Sequence, residues 1–351
     1  MSRPTPLSSR AASSRTIASS CEQAAPRLPQ PIPFGWYFVH YADELEKGAV
    51  VPLHYFGREL VLFRTEAGQA VLTDAYCPHL GAHLGHGGKV RGESIACPFH
   101  GWEFNGAGQC TAVPYAKNMP PKVAGGKPAI HSYPVVERNQ VIWAWYHPDR
   151  AAPSFDVVEN AETGAAGWVP LQKYTWRFAS NPQEIAENGV DVAHFKFVHN
   201  MDDVPEGHTE YDGHVRRSSA EGHRTVTLPD GNTRQIVSRV ETVQNGAGQK
   251  WTRFAGTVET HLQVLATPVD ADEVELRFAF THREFAEGSF EALLARGQIA
   301  SITGQGGVAG DIPIWQHKIH RADPILCDGD GPIMRFRRYF SQFYVPDAGQ
   351  A

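Results

Sequence analysis

Cys77-Pro78-His79 and, seventeen residues later, Cys97-Pro98-Phe99-His100-Gly101-Trp102 are the stretch from which the remainder of the chain can be read. Two short loops each offer one thiolate and one imidazole, the ligands of transition metals and of iron–sulfur clusters. A [2Fe–2S] cluster with two Cys on one iron and two His on the other needs this set: Cys77, His79, Cys97 and His100. Tetrahedral zinc also accepts two cysteines and two histidines. Zinc fingers, however, usually place Cys beside Cys and His beside His along the chain, and here they alternate. Four buried Cys and His without a metal are the remaining reading. Gly81, Gly85, Gly87 and Gly88 follow the first loop and Gly101 follows the second. Glycine lets backbone N–H groups turn in towards bridging sulfurs, which together with neutral His ligands raises a cluster's potential.

The flanking sequence reads as short strands. Val50 to Tyr55 and Glu59 to Phe63 alternate about a turn at Gly57, and Ala70 to Thr73 returns to deliver Cys77. Ser94 to Ala96 delivers Cys97, and Tyr133 to Glu137 with Val141 to Tyr146 closes the unit about Asn139. Residues 31–148 are thus expected to form a small all-β domain, after a disordered Ser/Pro/Ala-rich tail over 1–30. Residues 149–166 read as a polar linker and 167–346 as a second domain. There the spacing predicts helices over 182–199, 289–302 and 311–321, and strands over 224–228, 234–243, 251–266 and 273–283. Val258, Thr260, Leu262 and Val264 alternate, as do Val274, Leu276, Phe278 and Phe280, so one sheet face is apolar. The expected class is α+β, a curved antiparallel sheet covered by helices.

Composition narrows the function. The 351 residues hold 32 basic and 38 acidic side chains, net −6, with no basic run, which argues against nucleic acid. No apolar run approaches the ~20 residues of a membrane span. An N-terminal membrane anchor is therefore not expected. The five cysteines (Cys21, Cys77, Cys97, Cys110, Cys327) are too scattered for a secreted disulfide framework, so a reducing cytoplasm is expected. Residues 1–21 hold three Arg and seven Ser with no acid, which also has the look of a transit signal.

A second constellation lies at Glu187-Asn188-Gly189-Val190-Asp191-Val192-Ala193-His194, ending at His199. Asp191 and His194, three apart, would share a helix face. His194 and His199, five apart, would diverge by ~140° on a regular helix, so a helix must end or bulge between them if both bind one ion. Two His and a carboxylate with open positions form the non-haem iron(II) triad. The alternative is two ordinary, partly buried histidines.

The C-x-H…C-x2-H pair resembles the Rieske cluster motif. Asp191-x2-His194-x4-His199 resembles the iron-site helix of Rieske non-haem iron oxygenases. In that order the two motifs make the resemblance span residues 34–345, with a helix-grip catalytic domain implied. It implies a third iron ligand near a late helix, best matched by Asp311. A plain helix N-cap is the other reading of that residue, and Asp323, Asp328 and Asp330 are lesser matches. It implies that Asp191 bridges the two metal sites, its carboxylate accepting from an iron-ligand His, and puts Asn188 in the same catalytic group. Head-to-tail packing into a trimer would set one subunit's cluster beside the next subunit's iron. The function implied is a terminal oxygenase using O2, a [2Fe–2S] cluster and mononuclear Fe(II). No G-x-G-x-x-G follows a strand, so NAD(P)H would act through a separate flavin reductase, with or without a ferredoxin. Residues 75–104 and 184–195 look like the cholesterol 7-desaturase group, and 311–344 like the oxygenase component of 3-ketosteroid 9α-hydroxylase. A bulky hydrophobic substrate, a steroid, is therefore expected, with hydroxylation ahead of desaturation. A Rieske-type electron carrier without oxygenase activity is the reading from another class, and needs only the first domain.

Overall fold

The computed structural model describes residues 26–227, 231–255 and 258–346. The expected tail falls mostly on residues 1–25, with Cys21, outside the described residues. Its last part is not a free tail. Leu28 is buried, and the Arg27 guanidinium donates to the carbonyls of Trp315 at 2.9 Å and Lys318 at 2.8 Å.

Three small antiparallel sheets make the first half. Val50–Tyr55, Arg58–Arg64, Ala70–Asp74 and Ser132–Tyr133 form one, and Lys89–Arg91, Ser94–Ala96, Glu103–Asn105 and Cys110–Ala112 the next. Gly35–Tyr41, Val141–Tyr146 and Val135–Arg138 form the third. The hairpin at Asn139 turns through positive φ at Asn139 and Gln140 (58° and 60°), the geometry of a type I′ turn. Both loops bearing Cys and His project from the strands that the alternation predicted, over a core containing Leu84, Ile95 and Phe104.

The second half is built on one seven-stranded antiparallel sheet. Its order is Gln172–Phe178, Val274–His282, Thr260–Pro268, Gln249–Ala255, Thr233–Asn245, Val215–Thr227, Glu206–Asp212. The α+β expectation holds, with differences in detail. The stretch read as one strand over 251–266 is two paired strands, Gln249–Ala255 and Thr260–Pro268. Alternation continues from one of these paired strands into the next, which is why they read as one. The strands Gln172–Phe178 and Glu206–Asp212 and the helix Ile333–Phe340 were not anticipated; Glu206–Asp212 carries little apolar periodicity, whereas Tyr174, Trp176 and Phe178 alternate and Ile333, Phe336, Tyr339 and Phe340 share a buried helix face.

Helices Phe290–Thr303 and Val308–His317 contribute Ile299, Val308 and Trp315 to a core with the sheet residues Leu262 and Leu276. Ser289 caps the first of these, accepting from the Ala292 N–H at 3.2 Å. Residues 149–166 are not a loose connector. Val157 is 1 % exposed, Trp36 Nε1 donates to the Phe155 carbonyl at 2.7 Å, and Gln249 Nε2 donates to the Val158 carbonyl at 2.7 Å. The segment therefore stitches the two halves together. Thr267 Oγ1 donating to the Phe38 carbonyl and Tyr55 Oη donating to Glu275 add further bonds between them, at 2.8 and 2.6 Å.

Candidate metal centre and pocket

The two N-terminal loops are built alike. Each begins Cys-Pro and closes four residues on with a glycine, and Gly81 and Gly101 have φ of 75° and 71°, which a side chain would strain. The Gly81 N–H donates to the Cys77 carbonyl at 2.9 Å and the Gly101 N–H to the Cys97 carbonyl at 3.0 Å. Those two amides therefore close the loops on carbonyls and do not turn to sulfur, contrary to expectation. Both thiols are buried, and burial pushes Cys77 up to about 11, with Cys97 adjoining it. The His79 and His100 rings stand 4.8 Å apart, edge to face, with Trp102 stacked on His79 at 4.6 Å. Nδ1 of His100 is buried without a partner. Two soft thiolates, two imidazoles and one orphaned ring nitrogen fit a [2Fe–2S] cluster better than a polar core would.

The second constellation starts from helix Pro182–Glu187. Asn181 caps it, accepting from Glu184 N–H at 2.9 Å, and proline holds the first position. The helix stops there and does not run on to His199 as the sequence reading had it. Residues 188–193 leave the helix, so Asp191 and His194 do not share a helical face. A new turn, His194–Phe197, carries the first histidine, and it ends before His199. That break is the one the five-residue spacing required, and Asn200 at φ 55° follows it. Asp311 comes from helix Val308–His317, whose N-cap is Gly307, so Asp311 lies inside the helix and the N-cap reading falls.

His194, His199 and Asp311 converge, with one donor atom of each within 4.8 Å of the others. Nε2 of His194 is 3.1 Å from Nε2 of His199, which is 3.4 Å from Oδ2 of Asp311. Two ligands about 2.1 Å from one ion, at roughly right angles, are separated by about 3 Å. The set thus suits a facial site of two imidazoles and one carboxylate. Asp323, Asp328 and Asp330 are not in the group, and Asp330 instead accepts from the Cys327 N–H at 2.7 Å.

Asn188 reaches Nε2 of His194 at 3.1 Å. Asp191 also meets His194, but through its main-chain carbonyl, which faces Nδ1. The carboxylate contact implied by resemblance is replaced because the non-helical segment turns that carbonyl inward. Since a carbonyl only accepts, Nδ1 of His194 carries the proton and Nε2 presents its lone pair to the site.

Burial lowers both histidines, His199 to about 4 with His194 and Arg224 adding to it, so both rings are neutral and free to ligate. Burial also raises Asp311 to about 7, against Asn188 and Lys250, which lower it. A divalent ion would restore the anionic form.

These three residues line a cavity of about 200 Å³. Leu262, Val264, Leu276, Phe278, Ile302 and Trp315 give it apolar walls. Lys250 projects into it from the sheet and escaped the sequence reading. Alternation in Lys250, Thr252 and Phe254 marks one face of a strand, but which face looks inward depends on register.

Residues 35–134 match the Rieske [2Fe–2S] domain and residues 144–344 match the 3-ketosteroid 9α-hydroxylase C-terminal domain. The chain belongs to the Rieske non-haem iron oxygenases. It is 30 % identical over 343 residues to a 3-ketosteroid-9-alpha-monooxygenase oxygenase component of Rhodococcus rhodochrous, covering 92 % of this chain and 84 % of that one. It is 29 % identical over 350 residues to cholesterol 7-desaturase of Caenorhabditis elegans, covering 92 % and 79 %. Dicamba monooxygenase bound to dicamba shares the fold, with a TM-score of 0.70 over 88 % of this chain and 96 % of that one at 18 % identity. This Rieske oxygenase is therefore an oxidoreductase, the terminal oxygenase of a system whose electrons come from another protein. That excludes the reading as a bare electron carrier. No helix among the described residues is long and apolar enough to cross a membrane.

Proposed function

We propose that this Rieske oxygenase hydroxylates a bulky alicyclic substrate of the steroid class. In this reading Cys77, His79, Cys97 and His100 hold the [2Fe–2S] cluster, and His194, His199 and Asp311 hold a mononuclear iron. The observation that carries it is an apolar cavity lined by the convergent His194, His199 and Asp311. The relatives' printed names, steroid monooxygenase and sterol desaturase, support the substrate class. When bound, the cluster passes single electrons and the iron activates O2.

The chain's own residues do the positioning. Asp191 holds the Nδ1 proton of His194 on its carbonyl and thereby fixes the ring so that Nε2 faces the iron position. The Asn188 amide occupies the lone pair of that Nε2 here and would give it up to a bound ion, keeping its hydrogen bond to the Asp311 carboxyl. Leu262, Leu276 and Phe278 exclude water and press a hydrocarbon face towards the triad. NAD(P)H enters through a flavin reductase, with or without a ferredoxin. The cluster of one subunit serves the iron of the next in a head-to-tail trimer, across the region of Asp191. We assign a cytoplasmic location, which the unpaired state of Cys110 and Cys327, the described cysteines outside the cluster, supports.

The desaturase relatives favour a second reading, removal of two hydrogens across a ring bond. Turnover of a steroid panel with a surrogate reductase, read by product mass, separates the two: one oxygen gained against two hydrogens lost. His194→Ala should keep the cluster's visible spectrum, lose the mononuclear iron and lose turnover at least a hundredfold. Retained iron together with retained turnover would overturn the assignment.

A further inference from the structure

One row on a face of the large sheet differs from its surroundings. The register sets Arg216 opposite Gln244, Gln244 opposite Lys250, Lys250 opposite Val264, and Val264 opposite Phe278. Side chains in such a row share one face, about 4.8 Å apart from strand to strand. An apolar wall thus runs directly into a lysine, a glutamine and an arginine. The next row brings Thr242 and Thr252 hydroxyls together at 3.0 Å.

The basic end of this row is poorly matched. Arg216 is fully buried, and none of its three guanidinium nitrogens has a hydrogen-bond partner. Oε1 of Gln244 is buried and unpartnered as well. Lys250 lines the large cavity beside Asn188, His194 and Asp311, and together with Gln244 it lines a smaller cavity against helix Pro182–Glu187. Arg224 lines the large cavity too, donating to Ser301 Oγ at 2.8 Å. Burial and the neighbouring Arg216 hold the Lys250 ammonium below its ordinary value, and the carboxylate that raises it is Asp311, which the metal would take. Buried charge is ordinarily matched by opposite charge. A divalent ion beside His194, His199 and Asp311 would leave the pocket more positive still.

We propose that Lys250 is a specificity-determining residue and that it receives a carboxylate of the substrate, so that the enzyme acts on a bulky apolar acid. This rests on the cavity being the substrate site. A ketone oxygen would accept one hydrogen bond from Lys250 without offsetting the burial of its charge, whereas a carboxylate would both accept that bond and hold the ammonium in its charged form. Thr242 and Thr252 stand in the adjacent row as further donors. Arg216 does not reach the cavity, and acts from behind by setting the sign of the field.

The test uses holoenzyme with both metal sites loaded and two acid/amide pairs: a steroid carboxylic acid with its primary amide, and adamantane carboxylic acid with its amide. Calorimetry should show the acid binding roughly 10- to 100-fold tighter than the amide on at least one skeleton. That ratio should fall to near one in Lys250→Met and persist in Lys250→Arg. A wild-type ratio near one on both skeletons overturns the proposal without any variant. A ratio untouched by Lys250→Met, or by Lys250→Gln should the Met variant not fold, overturns it equally. Turnover of a neutral steroid with no acid preference keeps the steroid reading and removes the carboxylate. Acid preference on adamantane with no steroid bound or turned over does the reverse.

Discussion

Gly189 stands between the metal-site segment and a buried cation. A Cβ there would lie 2.9 Å from Nη2 and 3.2 Å from Nη1 of Arg216, which has no exposed surface into which to withdraw. Overpacking of this kind costs about 1–3 kcal/mol and is relieved by moving backbone. The backbone that would move carries Asn188 and leads to His194. Gly189→Ala should therefore lower mononuclear iron per chain severalfold while leaving the cluster's visible absorbance intact. Iron analysis beside the absorbance spectrum checks this, and a full complement of the second iron would count against it. The residues proposed as metal donors stand out in the sequence, because ligation restricts residue type and the paired loops repeat. Asp311 was legible only by resemblance, since an Asp after a glycine-rich loop reads equally well as a cap. Lys250 and Arg216 were not legible at all. Nothing local to either marks it as inward-facing, and only the pairing of distant strands does.

At the scale of elements, helix Pro182–Glu187 has only six residues, too short to persist on propensity alone. All six are buried, two of them carboxylates. Glu184 meets Lys318 Nζ at 2.6 Å and His320 Nδ1 at 2.9 Å, and Glu187 takes the Arg337 guanidinium through two bonds of 2.6 and 3.0 Å. These pairs pin the helix, and with it Asn188, to the C-terminal segment. Burial would raise the Glu184 carboxyl, but Lys318 and His320 outweigh it and hold the group below its ordinary value. A depressed folded-state pKa contributes stability above the unfolded value, near 4.3, which is lost as pH falls through the folded value. Glu184→Gln should thus cost roughly 3 kcal/mol at pH 7 by urea denaturation. The gap from wild type should close as the medium is acidified below about pH 4. A gap that stays constant with pH would mean that packing, not charge, holds the helix. The sequence reading ran this helix through to His199 because the apolar pattern continues. It stops at Glu187, where Asn188 is the C-cap and Gly189 follows, and the non-helical segment after it turns the Asp191 carbonyl towards His194.

The whole molecule poses a question of wiring. Around the two N-terminal loops, Tyr76, Leu80, Phe99 and Tyr115 are each more than half exposed. Large apolar side chains grouped at a redox centre are what a docking surface presents. The proposed head-to-tail trimer would cover them with the next subunit and bring the cluster to that subunit's Asp191. The small β domain and the curved sheet were readable from alternation and turn residues, whereas this assembly is a relation between copies that no periodicity within one chain encodes. It can be tested by mixing two dead enzymes. Cys77→Ser removes the cluster and leaves His194, His199 and Asp311 in place. Asp311→Ala removes the iron and leaves the cluster. Refolded or co-expressed in equal amounts, the two should regain activity, because an intact cluster then faces an intact iron across some of the junctions. With random assembly, one junction in four has that pairing, so up to roughly a quarter of wild-type turnover is expected. If electrons instead pass within one subunit, every junction is dead and the mixture stays as inactive as either parent.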